Sequence, residues 1–173
     1  MDVWEAIRSK RAVRQFAERP LPEEVMLRIL DAGRRAQSAK NSQPWDFIAI
    51  RERERLRALA ATGPSIGHVA GAALGVVIVT PAPEGNDRYP WNMFDAGQAA
   101  AYMQLVAHAL GVGSCPGTIY DEAAARALLG YPADKSARLV LSFGYPAGEA
   151  AQPRPARKGG RRPLAEVVHW EQW

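Results

Sequence analysis

The sequence predicts an α+β sandwich, with one central sheet and helices around it. Three observations lead there. Helical periodicity dominates the first forty residues, strands then appear one at a time with helices between them, and a long alanine-rich helical stretch is apolar on nearly every side and needs enclosing. A chain of 173 residues can bury a sizeable core, and 47% hydrophobic against 23% charged residues is a globular rather than a disordered balance. One domain spanning residues 1–173 is expected.

The elements follow in order. "DVWEAIRSK" places Val3, Trp4 and Ile7 at helical spacing, with Asp2 able to cap. "LPEEVMLRILDAGRRAQ" (21–37) is the clearest amphipathic helix: Pro22, Glu23 and Glu24 mark its start, and Val25, Ile29, Leu30 and Ala36 form its stripe. "WDFIAI" (45–50) alternates as a strand and ends in the charged helix "RERERLRALA". "AALGVVIVT" (72–80) is a fully buried strand, stopped by the loop "PAPEGNDRYP". The long helix covers 92–113 and is closed by Gly111. A short helix covers 121–130, with an Asp cap and a Gly stop, and a third strand covers 136–146. "AGEAAQPRPARKGGRRP" (147–163) is too rich in Pro, Gly and Arg for a core and reads as an extended arm. "LAEVVHW" (164–170) is a candidate terminal strand, and its tryptophans need cover from this chain or from a second subunit.

Composition removes several function classes. The net charge of +4 suits an anionic ligand but is too small to argue for nucleic acid. The longest apolar run, 69–79, is too short to span a bilayer. "MDVWEAIRSK" has no basic start followed by an apolar run, so it does not read as a secretory signal. The single cysteine, Cys115, permits no intrachain disulfide, and the expected location is the cytoplasm. His68, His108 and His169 lack ligand-like spacing, so no metal site is expected. There is no nucleophile elbow and no Walker A loop. "GVGSCPG" (111–117) follows a helix rather than a strand, which is wrong for a dinucleotide loop. If the chain is an enzyme, a cofactor brings the chemistry.

Two stretches carry most of the functional signal. "SKRAVRQF" puts Lys10, Arg11 and Arg14 within five positions, where they can converge on a phosphate or form a solvated basic turn. "AQSAKNSQPWDF" (36–47) offers Ser38, Asn41 and Gln43 in a short loop. Their donors and acceptors suit the edge of a planar heterocycle, or merely cap a helix–strand turn.

Together these stretches resemble the opening of the nitroreductase-like flavoprotein family, which shows an Arg-Arg-Ser-x-Arg-x-Phe run and then Pro-Ser-x-x-Asn-x-Gln-Pro-Trp before a strand. The likeness continues through "FDAGQAAAYMQLVAHALGVGSC" and ends in "RRPLAEVVHWEQW". It implies a three-layer sandwich with a mainly antiparallel sheet. It also implies FMN as cofactor, NAD(P)H as electron donor, and a homodimer with flavin at the interface and the C-terminal arm (146–173) exchanged between subunits. Lys10, Arg11 and Ala12 match the segment that holds the FMN phosphate, and Arg14 matches the cation near the flavin N1–C2 carbonyl edge. Ser38, Asn41 and Gln43 match the loop that reaches the flavin of the partner subunit. Pro116, Thr118 and Ile119 match the segment passing flavin N5 through backbone groups. Arg161 matches the C-terminal cation on the phosphate, with Arg162 or Lys158 as helpers. Ala12 stands where serine is usual, Lys10 where Arg is more common, and Gln37 where proline is usual, while "CPGTIYD" lacks paired glycines.

The physical chemistry agrees with the likeness. A partly buried phosphate needs cations, and both ends of the chain carry them. A fixed cation at Arg14 favours the reduced flavin. Hydride transfer from nicotinamide to flavin, then to a nitroaromatic, quinone or similar small acceptor, needs no side-chain acid at the reacting atom. The absence of a catalytic dyad is therefore no objection, and no catalytic side chain is assigned. Tyr89, Trp91 and Phe94 either border the acceptor pocket or pack around the long helix. The rival reading is a non-redox flavin- or nucleotide-binding member of the same fold. A nucleic-acid module would need aromatics among its cations, and "SKRAVRQF" offers only Phe16.

Overall fold

The computed structural model describes residues 1–148 and 160–173. Its centre is a four-stranded sheet of β1 (Asp46–Ile50), β2 (Leu74–Pro81), β3 (Gly113–Thr118) and β4 (Lys135–Gly144). The strand order is β1-β2-β4-β3, antiparallel throughout. Strand β2 is buried on both faces. Leu74, Val76 and Ile78 point to one core together with Leu141 and Phe143, whereas Val77 and Val79 point to the other with Val140.

Helices α2 (Glu23–Arg34) and α4 (Tyr89–Ala109) cover the first face through Met26, Ile29, Ala99 and Met103. Helices α3 (Arg53–Ala60) and α5 (Glu122–Leu129), with a 3₁₀ turn at Gly67–Gly71, cover the second through Leu56, Leu59, Val69 and Ala125. The result is the expected sandwich of three layers. The short helix α1 (Val3–Ser9) begins where Asp2 Oδ1 accepts from the Glu5 N–H at 2.7 Å. Asp121 caps α5 in the same way, and Gly130 ends it at φ 74°.

Four details differ from the sequence reading. The buried stripe of α2 is Met26, Ile29, Ala32 and Gly33, with Val25 and Leu30 at its margin. Helix α4 starts at Tyr89, with Pro90 in its first turn, and stops before Gly111. Strand β3 was not expected, because Gly-Ser-Cys-Pro-Gly-Thr has little strand propensity. It forms because β4 offers a long partner, and as an edge strand it tolerates Pro116. The expected strand at 164–170 is instead a single 3₁₀ turn, Leu164–Glu166, followed by irregular chain. Pro163 enters that turn, Val167 N–H closes it on Leu164 C=O, and Arg162 ties down Glu166. Most of the predicted extended arm, 149–159, lies outside the described residues.

Candidate functional site

The N-terminal segment after α1 lies along the outer edge of β3. Ala12 forms a parallel bridge with Ser114, and Val13 N–H donates to Ser114 C=O at 3.0 Å. Two facing glycines make room for it. A Cβ on Gly113 would lie 2.7 Å from Val13 Cβ, and one on Gly144 would lie 2.9 Å from the Phe16 ring. The apolar members of "RAVRQF" are thus the pegs, and the cations between them are left at the edge.

Those cations have different surroundings. Arg11 is exposed and turns back to the C-terminus of α1, donating to Arg8 C=O at 2.7 Å and Lys10 C=O at 2.9 Å. Lys10 is half-buried and donates to Gln104 Oε1, while Gln104 Nε2 donates to Ala100 C=O at 3.2 Å, which fixes the amide's orientation. Burial holds the Lys10 ammonium below its ordinary pKa, with Cys115 opposing that weakly. Arg14 lies beside Cys115 and His68. Burial pushes the Cys115 thiol up, against the pull of Arg14 and Lys10, while burial and then Arg14 hold His68 low. His68 Nδ1 lies 2.7 Å from Ser142 Oγ, and that hydroxyl donates to Cys115 C=O at 3.2 Å, bracing β3 from beneath.

The ladder decides which β3 groups reach outward. Ile119 N–H donates to Arg138 C=O at 3.0 Å, so the alternation turns Cys115 and Gly117 toward β4 and Ser114, Pro116 and Thr118 toward the open edge. Val13 takes Ser114 C=O, Pro116 has no N–H, and Thr118 N–H faces outward. Ile119 is fully buried in the α3/α5 core.

The amide-rich loop sits near the other end of α4. Asn41 and Gln43 are exposed, and Lys40, Asn41 and Gln43 hold left-handed φ of 56°, 54° and 47°. Ser38 Oγ accepts from Gln43 N–H at 2.9 Å, and the Ala39 N–H donates to Asp95 Oδ2 at 3.2 Å. Beside Gln43 a cleft of about 890 Å³ opens between Trp45, Asn86, Arg88 and Lys135.

The structure therefore brings Lys10, Ala12, Arg14, Pro116 and Thr118 together at one edge, and holds Ser38, Asn41 and Gln43 on a separate loop. Arg161 and Arg162 are exposed, Arg162 paired with Glu166 at 3.3 Å, and Lys158 lies outside the described residues. Trp91 and Phe94 are 65% and 63% exposed, so they do not pack around α4 within one chain. Sequence reasoning missed Gln104, Asp95 and His68. For Asp95 and Gln104 the available signal was polar side chains interrupting an alanine-rich helix; His68, on the 3₁₀ turn, had none. Among the described residues, no group of His, Cys, Asp or Glu could hold a metal, and no helix is long and apolar enough to cross a membrane.

The sequence profile of the Nitroreductase family matches residues 7–74 and 67–145. The chain belongs to the nitroreductase family. A relative from Archaeoglobus fulgidus, with the provisional name NADH dehydrogenase/NAD(P)H nitroreductase, is 31% identical over 173 residues, covering 96% of each chain. A Thermus thermophilus protein named NADH dehydrogenase is 29% identical over 203 residues, covering 98% of this chain and 96% of its own. Among solved structures, an FMN-dependent nitroreductase from Clostridium difficile superimposes with a TM-score of 0.81 at 26% identity, covering 98% of this chain and 99% of its own.

The residues present in this chain fit a phosphate-bearing planar group. Lys10 is a half-buried cation whose side-chain partner is a neutral amide, Gln104, so an anion would relieve its burial cost. Arg14 adds a second cation along the edge, and Thr118 adds an outward backbone donor.

Proposed function

We propose that this nitroreductase is an FMN-dependent NAD(P)H oxidoreductase acting as a homodimer on a nitroaromatic, quinone or similar conjugated acceptor. The observation that carries this reading is the pinned edge, which presents Lys10, Arg14 and Thr118 N–H together. When bound, FMN supplies a ring that takes hydride from a nicotinamide and passes it to the acceptor. The chain's own residues bind and orient it. Lys10, joined by Arg161 or Arg162 from the arm, neutralises the phosphate. Arg14 supplies fixed positive charge for the anionic edge of the reduced ring. Thr118 N–H offers a donor at the strand edge, and Asn41 and Gln43 offer carboxamides to the ring's rim from the partner subunit. No side-chain proton donor is required at the reacting atom, so protons come from solvent.

Homodimer formation gives the exposed apolar groups a role. Trp4 and Ile7 on α1, Trp91 and Phe94 on α4, and Trp170 and Trp173 at 83% and 99% exposure would be covered by a second copy. The decisive experiment is the absorption spectrum of the purified protein with FMN, followed by anaerobic addition of NADH or NADPH. Rapid bleaching of bound flavin is the expected result. A colourless protein that refuses FMN overturns the reading, and a bound flavin that stays oxidised makes it a non-redox binder.

A further inference from the structure

Helix α4 buries three polar side chains, Asn92, Asp95 and Gln104, among alanines and Met103, and two of them act as anchors. Gln104 holds Lys10, and nine residues earlier Asp95 holds the loop 38–43, a separation of roughly 14 Å along a straight helix. Asp95 is only 4% exposed. Oδ2 accepts from the Ala39 N–H at 3.2 Å and Oδ1 from Gln98 Nε2 at 3.3 Å, while Gln98 Oε1 accepts from Gln37 Nε2 at 2.9 Å. No cationic side chain among the described residues pairs with it. A carboxylate is costly to bury without a counter-charge, and an apolar residue would pack more cheaply here.

The loop explains why it is kept. Three non-glycine residues in the left-handed region persist only where their surroundings over-determine them. Among the described residues, three side-chain hydrogen bonds do so: Ser38 Oγ and Gln43 Nε2, within the loop, and Asp95, from α4. Among the described residues, Asp95 alone ties the loop's backbone to the helix that also seats Lys10.

We propose that Asp95 is the positioning residue of the site, fixing the loop 38–43 so that Asn41 and Gln43 meet the bound flavin. With Gln104 it makes α4 a strut that sets the edge for one flavin and the loop for the flavin of the partner subunit. The flavin contact rests on the function proposed above; the tether does not.

The test uses the full chain. Lys40 is exposed on the loop, so trypsin cleavage after Lys40 reports loop order without flavin, and FMN titration with the visible circular dichroism of bound flavin reports its contact. Asp95→Ala should raise the cleavage rate and weaken FMN binding, each by roughly tenfold, while Asp95→Asn, which keeps an acceptor, restores both. Ala39→Pro deletes only the donor. Ala39 is exposed and Ser38 is extended at ψ 155°, so proline fits there, and its effects should match those of Asp95→Ala without core disruption. Unchanged cleavage in both variants overturns the tether. Faster cleavage with unaltered FMN affinity and dichroism overturns the positioning role. If the parent binds no FMN, the proposed function falls while the cleavage arm still decides the tether.

Discussion

Gly113→Ala should loosen the N-terminal segment from the sheet. The added Cβ would lie 2.7, 2.8 and 2.9 Å from Val13 Cβ, Cγ1 and Cγ2. Carbon atoms rest at about 3.5–4.0 Å, so the segment must retreat by roughly 1 Å. Val13 is β-branched and buried, with no flexible end to swing aside. That retreat stretches the 3.0 Å bond from Val13 N–H to Ser114 C=O beyond bonding distance. Overpacking costs about 1–3 kcal/mol and the lost hydrogen bond about 1, for a total near 2–4 kcal/mol. At roughly 2–4 °C per kcal/mol for a domain of this size, the melting temperature should fall by about 4–16 °C. Lys10 and Arg14 move with the segment, so FMN affinity should fall at least roughly tenfold. Thermal denaturation followed by circular dichroism, with FMN fluorescence quenching, measures both. Val13→Gly removes every clashing atom, so the double variant should melt no lower than Val13→Gly alone. A Gly113→Ala protein melting within a degree of the parent, or additive effects in the double variant, would refute the reasoning.

Other outcomes are expected from the same geometry. Lys10→Met should weaken FMN binding roughly 10- to 100-fold, the worth of a hydrogen bond to a charged group. Its flavin-free melting point should stay within roughly 4 °C of the parent, because relief of a half-buried cation offsets the orphaned Gln104 Oε1. Cys115 has its pKa raised by burial, so dithionitrobenzoate at pH 8 should modify the native protein at least roughly tenfold more slowly than the denatured chain; equal rates would contradict its burial. His68 and His108 both have pKa values held below 6.5 by burial, so the unfolded chain binds more protons as pH falls below 6.5. Their stability is fully present above 6.5 and is lost as pH drops through the lowered folded values, so the melting temperature should decline from pH 7 to 5. His68→Gln with His108→Gln should flatten that slope, and an unchanged slope would locate the acid sensitivity elsewhere.

Much of the frame was legible because its causes are local. An unbroken apolar run marked β2 as buried on both faces, alternation marked β1, proline and acidic residues marked the start of α2, and Asp2 and Asp121 sit at caps. Strand β3 was hidden because its sequence is poor in strand formers, and only pairing with β4 makes it a strand. The run after α1 was visible as cations, but its apolar pegs were not, since Val13 and Phe16 gain meaning only against Gly113 and Gly144. Gln104 and Asp95 were invisible for the same reason: a polar residue on an alanine-rich helix does not announce which distant backbone it will hold. The end of the chain misled because its valines and tryptophans suit a strand, but a strand needs a neighbour.

The seat of Val13 is Ser114, about a hundred residues further along. While the polypeptide emerges from a ribosome, its first basic stretch therefore has nowhere to lodge until β3 has paired with β4 across helix α5. Long-range closure of this kind is slow. If the proposed function holds, FMN would be captured late in maturation, and nascent chains stalled before β4 should stay unpigmented however much FMN surrounds them.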